Sequence, residues 1–193
     1  RSRDRVGPAE LRERALPARP KQPILFVASA ARHQLLRDGS QRRTGTFLGE
    51  LFEPYAVLTG AGYEVVFATA RGTSPAIDPE SVKSKYWESD ERLTEALAFV
   101  ERSSSFRAPL SLDLALASVE RFDGVVVPGG QGMMVDLLDD LRLHALLERS
   151  AAMQKPVGLV CHAPAVLARM KQPNSLAGRS SWSFTNTQMA GTP

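Results

Sequence analysis

The sequence predicts an α/β fold with a mainly parallel sheet. Short apolar runs that suit strands buried on both faces alternate with longer segments whose apolar residues recur every three or four positions, as in amphipathic helices. Strand, helix and strand in this order form βαβ units, which pair their strands in parallel through a right-handed crossover. With 193 residues, 43% of them hydrophobic, the chain suits one domain with a sizeable core.

The first 23 residues are expected to form a basic, irregular arm, and residues 24–193 the domain. Four prolines punctuate the arm. It carries seven Arg or Lys and three acidic residues, a net charge of +4, so the rest of the chain sums to −1. Because nucleic-acid binding needs basic residues gathered on a folded surface, this nearly neutral remainder argues against a nucleic-acid partner.

The composition also suggests a compartment. The chain contains no apolar run long enough to cross a bilayer and no signal-peptide pattern, so no membrane partner is expected. Its single cysteine, Cys161, excludes an internal disulfide framework, and a reducing compartment is then the default. The cytoplasm is the simplest assignment, although a removed targeting segment stays open because the first residue is Arg1.

The first βαβ unit opens the domain. Residues 24–29 are expected to be a central strand, and a polar loop over residues 32–44 follows. From residue 45 to residue 58 the apolar residues recur at helical spacing, with Pro54 expected to kink or restart the helix. Residues 64–70 supply the second strand.

The middle of the chain contains two further helix signals. Asp78 before Pro79 predicts a helix start, since the carboxylate can cap the first turn and proline suits its first position. Residues 87–100 carry an amphipathic stripe. Residues 110–119 fit either a short helix or an extended piece.

The second βαβ unit contains a glycine turn. Residues 123–127 are predicted to form a third buried strand, which runs into Gly129 and Gly130. Glycines there can adopt positive φ and leave backbone N–H groups uncovered, which suits an oxyanion-binding loop. An ordinary tight turn would use the same residues. Residues 136–153 are expected to be one amphipathic helix that leads to the fourth strand.

Cys161 is expected at a sharp turn between this fourth strand, residues 157–160, and a helix that begins at Pro164. The free N–H groups and dipole of a helix N-terminus stabilise an anion, so the thiol is expected to ionise more readily than a free one. A lone cysteine is more often a small buried hydrophobe. His162 directly after it, with the upstream glycine turn, favours a reactive nucleophile.

Glu50 lies beside the apolar stripe of the first predicted helix. By residue type alone, an ordinary solvated helix carboxylate is the usual interpretation. The motif that contains Glu50 gives it a second interpretation.

Four ordered motifs resemble the PfpI-like family of the class I glutamine-amidotransferase-like superfamily. They are Gly45-Thr-Phe-Leu-Gly-Glu50-Leu-Phe-Glu-Pro54-Tyr, Ala61-Gly-Tyr-Glu-Val-Val-Phe-Ala-Thr, Pro128-Gly-Gly-Gln-Gly132-Met-Met-Val-Asp136-Leu and Lys155-Pro-Val-Gly-Leu-Val-Cys161-His162-Ala-Pro. The resemblance covers roughly residues 24–187. The motifs are most similar to the branch of heat-shock chaperones that act as glutathione-independent glyoxalases.

The resemblance implies a flavodoxin-like three-layer sandwich with a nucleophile elbow at Cys161. It also implies that Glu50 hydrogen-bonds the thiol and that His162 is the catalytic base. By the same resemblance, the residues placed at the oxyanion and substrate are Gly129, Gly130, Gln131 and Ala163.

The implied activity is that of a Cys-dependent, cofactor-independent glyoxalase III, a lyase or hydratase. A thiolate attacks a 2-oxoaldehyde such as methylglyoxal, a base moves a proton between the two carbons, and hydrolysis releases a 2-hydroxy acid. No metal and no organic cofactor are implied, and relatives are often homodimers. The alternatives are a holding chaperone for unfolded client proteins, or a catalytically degenerate relative that senses stress or redox state.

The sequence departs from the family pattern at three places. Gln131 stands where His is common, and Ala163 where Gly is common. After Phe184-Thr-Asn186, where relatives place the acid that orients the histidine, the chain reads Thr187-Gln188-Met189. Losing such an acid lowers the rate of other triads by orders of magnitude, which favours the degenerate alternative. Relatives also continue further, so the domain is expected to lack the usual C-terminal end.

Overall fold

The structure, a computed structural model, describes residues 20–170 and Phe184. Most of the expected arm, residues 1–23, and the motif Thr187-Gln188-Met189 therefore lie outside the described residues. Within residues 20–170, no helix combines the length and the apolarity that a membrane span requires.

A five-stranded parallel sheet forms the centre of the fold, which confirms the predicted α/β class. The strands of the described residues are, in chain order, β1 (Ile24–Val27), β2 (His33–Leu35), β3 (Gln41–Arg43), β4 (Val65–Thr69), β5 (Leu110–Ser111), β6 (Gly124–Val127) and β7 (Val157–Leu159). In the sheet they lie in the order β5-β4-β1-β6-β7, and each neighbouring pair is parallel. β2 and β3 form a separate antiparallel hairpin.

Helices lie on both faces of the sheet. The α-helices of the described residues are α1 (Leu48–Gly60), α2 (Asp90–Arg102), α3 (Ser104–Arg107), α4 (Leu112–Ala117), α5 (Met133–Asp136), α6 (Leu141–Ala152) and α7 (Ala165–Arg169). Short 3₁₀ turns are present at Pro79–Val82, Ser84–Tyr86 and Val119–Arg121.

The side chains of β1 alternate between two cores, one on each face of the sheet. Leu25 and Val27 belong to a core with α4, α5, α6 and α7, whereas Ile24 and Phe26 pack with α1, α2 and α3. Successive side chains of a strand point to opposite faces, so a strand covered on both sides needs the continuous apolar run that β1 has. The fold therefore has three layers, as predicted.

Two stretches have more regular structure than the sequence indicated. One was expected to be a loop, and the other fitted either a helix or an extended segment. β2 and β3 form a hairpin within residues 32–44, the expected polar loop. In its turn, Gly39 adopts a φ of +82° and the carboxylate of Asp38 accepts a hydrogen bond from the N–H of Ser40 at 2.9 Å. Residues 110–119 contain both of the predicted alternatives, the strand β5 followed by the helix α4.

Helix α1 carries the predicted apolar stripe to the sheet. Leu48, Leu51 and Phe52 are buried against it. Pro54 was expected to kink or restart the helix, yet α1 continues through it to Gly60. A proline removes one backbone donor, and the buried side chains on the preceding turn hold the helix in place.

The segment after the glycine turn forms two helices, and the prediction of a single helix over residues 136–153 is wrong. Residues 137–140 separate α5 from α6. Asp140 caps α6 because its carboxylate accepts a hydrogen bond from the N–H of Arg142 at 2.9 Å. The spacing of the leucines continues across this break and therefore did not reveal it.

Asp136, at the end of α5, fixes the loop that follows β1. Its carboxylate accepts hydrogen bonds from Ser29 Oγ at 2.7 Å and from the N–H groups of Ala30 at 2.8 Å and Ala31 at 3.1 Å. Burial raises the pKa of the Asp136 carboxyl, although these three hydrogen bonds oppose the shift. The bonds connect the loop after β1 to the segment after β6, which carries the glycine turn.

We expect Asp136→Ala to lower the free energy of unfolding by about 2–4 kcal/mol, because the Ser29 hydroxyl and the N–H of Ala30 lose their acceptor and the N–H of Ala31 keeps only Ser29 Oγ. Asp136→Asn should cost less than about 1 kcal/mol, since the amide oxygen can accept from both N–H groups while the Ser29 hydroxyl accepts instead of donating. Urea unfolding at neutral pH measures both changes. Asp139→Asn, at an exposed carboxylate paired with Arg169, is the control and should stay within about 0.5 kcal/mol. Equal losses for the two Asp136 variants would contradict this explanation.

Candidate active site

Cys161 lies two residues after the end of β7, with its backbone in the left-handed region at a φ of +57°. This conformation is strained for a residue with a Cβ, and at a strand-to-helix turn it holds the side chain clear of the sheet. Cys161 is exposed as a residue, while its sulfur is partly shielded from water by the groups around it. α7 follows from Ala165, so the residue lies at the turn where the sequence predicts it.

Two side chains and two backbone N–H groups act on the Cys161 thiol. His162 Nδ1 lies 3.2 Å from Sγ. Glu50, in the first turn of α1, is within hydrogen-bonding reach of the sulfur. The N–H groups of His162 and Gly130 also contact the sulfur and favour the thiolate.

Gly129 lies between Glu50 and Cys161. A Cβ at Gly129 would be 2.5 Å from Glu50 Oε2, 2.6 Å from Cys161 Cβ and 2.8 Å from the carbonyl oxygen of Val160. Its own carbonyl accepts a hydrogen bond from the N–H of Phe47 at 3.2 Å, which ties the start of α1 to the glycine turn. Position 129 thus requires glycine, because any side chain there would prevent the close approach of Glu50 and Cys161.

Position 130 requires glycine for a different reason. It adopts a φ of +102°, and a Cβ there would lie 2.5 Å from the carbonyl oxygen of Gly45. The sequence suggests positive φ for both glycines, but among the described residues of this turn only Gly130 adopts it.

Burial raises the pKa of the Cys161 thiol above its ordinary value, and the Glu50 carboxylate acts in the same direction. The N–H groups of His162 and Gly130 oppose the shift without reversing it. The expectation of a more acidic thiol at a helix N-terminus is therefore wrong. α7 has only five residues, and the raised pKa follows from loss of water together with the neighbouring Glu50 carboxylate.

Glu50 is not an ordinary solvated helix carboxylate. Burial raises its pKa, while the Cys161 thiol, the N–H of Gly129 and the His162 ring oppose the shift. Its Oε2 atom is buried and, within the part of the chain that the structure describes, makes no hydrogen bond of normal geometry. Two acids this close titrate as a pair, because the charge left by the first lost proton holds the second proton more tightly.

The second ring nitrogen of His162 faces Gln131. The two Nε2 atoms are 3.4 Å apart. Across residues 20–170, no carboxylate forms an ion pair with this ring. Thr187, Gln188 and Met189, where relatives carry the orienting acid, lie outside the described residues.

The thiol opens into a pocket of about 180 Å³. Its lining combines predicted and unpredicted residues, namely Arg42, Phe47, Glu50, Asp78, Glu80, Gly130, Gln131, Cys161 and His162. Arg42 comes from the β2–β3 hairpin, which the sequence suggested to be a loop. No sequence pattern therefore indicated that Arg42 would lie at the site. The sequence predicts Asp78 only as a helix cap, a role that it fills by accepting a hydrogen bond from the N–H of Glu80 at 2.9 Å.

Ala163 lies apart from the pocket lining. It is fully buried in the core, and its N–H donates to the carbonyl of Val160 at 2.9 Å. Two larger pockets, of about 620 and 530 Å³, contain none of the expected site residues and lie at the amino ends of the strands. Within the described chain, no group of three or more His, Cys, Asp or Glu side chains has the arrangement of a metal site.

Comparison with protein families and curated proteins gives several matches. A family model described as ThiJ/PfpI family-like matches residues 42–189. The protein/nucleic acid deglycase HchA of Escherichia coli O157:H7 (strain EC4115) is 28% identical over 182 residues, which is 92% of this chain and 62% of the relative. HchA of Shigella flexneri is 29% identical with the same coverage. The chain thus spans less than two thirds of the length of these curated relatives.

Solved structures share the fold. Glyoxalase III from Candida albicans superposes with a TM-score of 0.63 at 19% identity, covering 80% of this chain and 62% of that chain. The Rapid Encystment Protein 24 kDa of Francisella tularensis gives a TM-score of 0.62 at 22% identity, covering 79% and 64%. At these identities the likeness concerns the fold alone.

We expect Glu50→Gln to move the pH dependence of Cys161 alkylation to lower pH. The substitution removes the negative charge that holds the thiol proton, whereas the burial remains. Iodoacetamide labelling rates measured across pH report this, and Cys161 is the only cysteine of the chain. Glu53→Gln, at an exposed residue of α1 that pairs with Arg92, should change nothing. A shift to higher pH would instead indicate a protonated Glu50 that donates to the thiolate.

We expect Gly129→Ala to lower the free energy of unfolding by about 1–3 kcal/mol and to change the labelling rate of Cys161, because the added methyl group overpacks the site. The matched control is Gly60→Ala, where a Cβ meets nothing within 4 Å. That change should be neutral or slightly stabilising. Thermal melting and alkylation measure the two effects, and a Gly129→Ala protein with unchanged melting and labelling would contradict the close approach.

Proposed function

Because the chain belongs to the ThiJ/PfpI family, we propose that it is a deglycase- or glyoxalase-like enzyme that acts on small aldehydes through Cys161. The observation that supports this most directly is the 3.2 Å contact between Cys161 Sγ and His162 Nδ1 at the wall of a small pocket, beside Glu50. The curated relatives named protein/nucleic acid deglycase, and the motif resemblance to glyoxalases, support the same class.

In the proposed first step, His162 Nδ1 takes the proton of the Cys161 thiol. The thiolate attacks the aldehyde carbon of a 2-oxoaldehyde such as methylglyoxal, so a C–S bond forms and the carbonyl π electrons move to oxygen. Protonation of that oxygen gives a hemithioacetal. Since the nucleophilicity of a thiolate rises with its pKa, a thiol whose pKa is raised becomes a strong nucleophile once it is deprotonated.

The backbone near the sulfur suits the developing oxygen charge. The N–H of Gly130 acts on the thiol and Gly130 lines the pocket, so we assign this N–H to the oxyanion. Gly129 serves as the spacer that lets Glu50 approach the thiol. The N–H of Ala163 already donates to Val160, which leaves Ala163 a packing role.

The remaining steps restore the thiol. A base, assigned to His162, removes the proton from the carbon that carries sulfur and forms an enediol, and protonation of the neighbouring carbon gives a thioester. Water cleaves the thioester, releasing the 2-hydroxy acid and the free thiol. The sum is the addition of one water molecule to the 2-oxoaldehyde, so the reaction consumes no oxidant or reductant.

The size of the pocket favours a small substrate. Its volume of about 180 Å³ is below the range of roughly 300–1,000 Å³ that accommodates drug-sized ligands. Methylglyoxal has only a few heavy atoms and fits this space. A free 2-oxoaldehyde is therefore the substrate class that we propose.

The two alternatives receive less support from the site. Redox-sensing cysteines have a lowered pKa, whereas burial raises the pKa of Cys161. A holding chaperone needs contiguous exposed apolar surface. Among the described residues, the four most exposed large apolar side chains, Leu35, Val57, Leu141 and Leu114, come from four different elements, β2, α1, α6 and α4.

We expect the purified protein to form lactate from methylglyoxal in the absence of glutathione. Cys161→Ser should reduce the rate by about 100-fold or more, because the weaker nucleophile cannot form the adduct. His162→Ala should lower the rate by about 10²–10⁴-fold. Circular dichroism and melting temperature establish that each variant is folded. Equal lactate formation by the wild-type and Cys161→Ser proteins would exclude this mechanism.

A further inference from the structure

Gln131 and Cys161 contact opposite sides of the His162 imidazole. Nε2 of Gln131 lies 3.4 Å from the ring Nε2, while the ring Nδ1 lies 3.2 Å from Cys161 Sγ. Across residues 20–170, a side-chain amide therefore occupies the position at which an orienting acid would hold a catalytic histidine. The contact also connects two loops, one after β6 and one after β7.

We infer that Gln131 is the positioning residue of His162 and sets its tautomer through a neutral amide. The inference deepens the proposed function, on which it rests in taking His162 as the base. For Nδ1 to accept the thiol proton, its lone pair must face the sulfur, so the neutral ring must carry its own proton on Nε2. That N–H requires an acceptor, and among residues 20–170 Gln131 supplies the polar side chain at hydrogen-bonding distance.

The amide group of Gln131 suits this task chemically. Its carbonyl oxygen and its NH₂ group lie at the same distance from the backbone, and a rotation of half a turn about the Cγ–Cδ bond interchanges them. With the oxygen toward the ring, the amide accepts from Nε2–H and leaves Nδ1 free to act as the base. When the thiol proton moves to Nδ1, the same hydrogen bond persists to the imidazolium.

The backbone around Gln131 is held on both sides. The N–H of Gly132 donates to the carbonyl of Gly45 at 3.0 Å, and the carbonyl of Gln131 accepts from the N–H of Met134 at 3.1 Å. Gly130 packs against the carbonyl of Gly45, where a Cβ would lie at 2.5 Å. A fixed backbone limits the places that the amide can reach, as a positioning role requires.

A neutral amide has a measurable consequence for the Cys161–His162 pair. It stabilises the imidazolium less than a carboxylate would, so replacing the amide by a carboxylate should favour the imidazolium. The charged and titratable groups that share the pocket with the ring are Arg42, Glu50, Asp78, Glu80 and Cys161. They remain the same in every variant below, and differences between variants therefore report residue 131 alone.

The experiment measures the tautomer of His162 directly by ¹⁵N NMR of labelled imidazoles, of which the chain has three. His162→Asn assigns the signal. In the wild-type protein above the ring's titration range, the Nε2–H form should dominate. Gln131→Met, similar in length but unable to accept this bond, should give a mixture of tautomers. It should also lower kcat by about tenfold or more with KM nearly unchanged.

Gln131→Glu provides the complementary variant, and Gln41→Met the control. The glutamate keeps an acceptor and adds a negative charge, so the Nε2–H form should persist. The imidazolium should then remain protonated up to a pH about one unit higher than in the wild-type protein. Gln41 lies exposed on β3, outside the pocket lining, and the same chemical change there should alter neither tautomer nor rate.

Unchanged tautomer populations and an unchanged pH dependence of Cys161 alkylation in Gln131→Met would overturn the inference. Both readouts need no substrate, so they decide it even if the protein turns over no aldehyde, a result that would count against the proposed function alone. Melting temperatures identify a variant that has not folded. If Gln131→Met has not folded, the pH titration of the His162 ring in Gln131→Glu tests the inference instead. An imidazolium midpoint equal to that of the wild-type protein would overturn the inference.

Discussion

The close approach of Glu50, Gly129 and Cys161 is the constraint on which the site depends. A Cβ at Gly129 would lie within 2.6 Å of both partners, so these groups can meet only around a residue without a side chain. Three elements thereby converge at one backbone position: the first turn of α1, the loop after β6 and the turn after β7. The parallel sheet makes this possible, because the carboxyl ends of its strands lie at the same edge.

Burial gives this convergence its chemical character. Removing a carboxyl group and a thiol from water raises both pKa values, and a charge on Glu50 raises that of Cys161 further. Both shifts favour the protonated forms of the two groups, so the thiol needs a base before it can react. In the proposed mechanism that base is His162, whose Nδ1 lies 3.2 Å from the sulfur. Such an arrangement suits a nucleophile that forms only during reaction with an aldehyde.

Regular elements with strong local signals were predictable. The strand at residues 24–27 is apolar at every position because both of its faces are covered, and the helical stripe of Leu48, Leu51 and Phe52 meets one of them. The hairpin that brings Arg42 to the pocket was not predictable, since its strands are short and exposed. The break between α5 and α6 also escaped prediction, because it depends on a single capping carboxylate, Asp140.

By itself, the sequence determined the α/β class, the glycine turn and the position of Cys161 between a strand and a helix, because these follow from local patterns of apolar residues and glycines. Only the tertiary structure decided the direction of the thiol pKa, the burial of Glu50 and the contact of Gln131 with His162. The physical reason is that desolvation and charge interactions depend on distances between groups that are remote in the chain, and periodicity along the chain does not contain those distances.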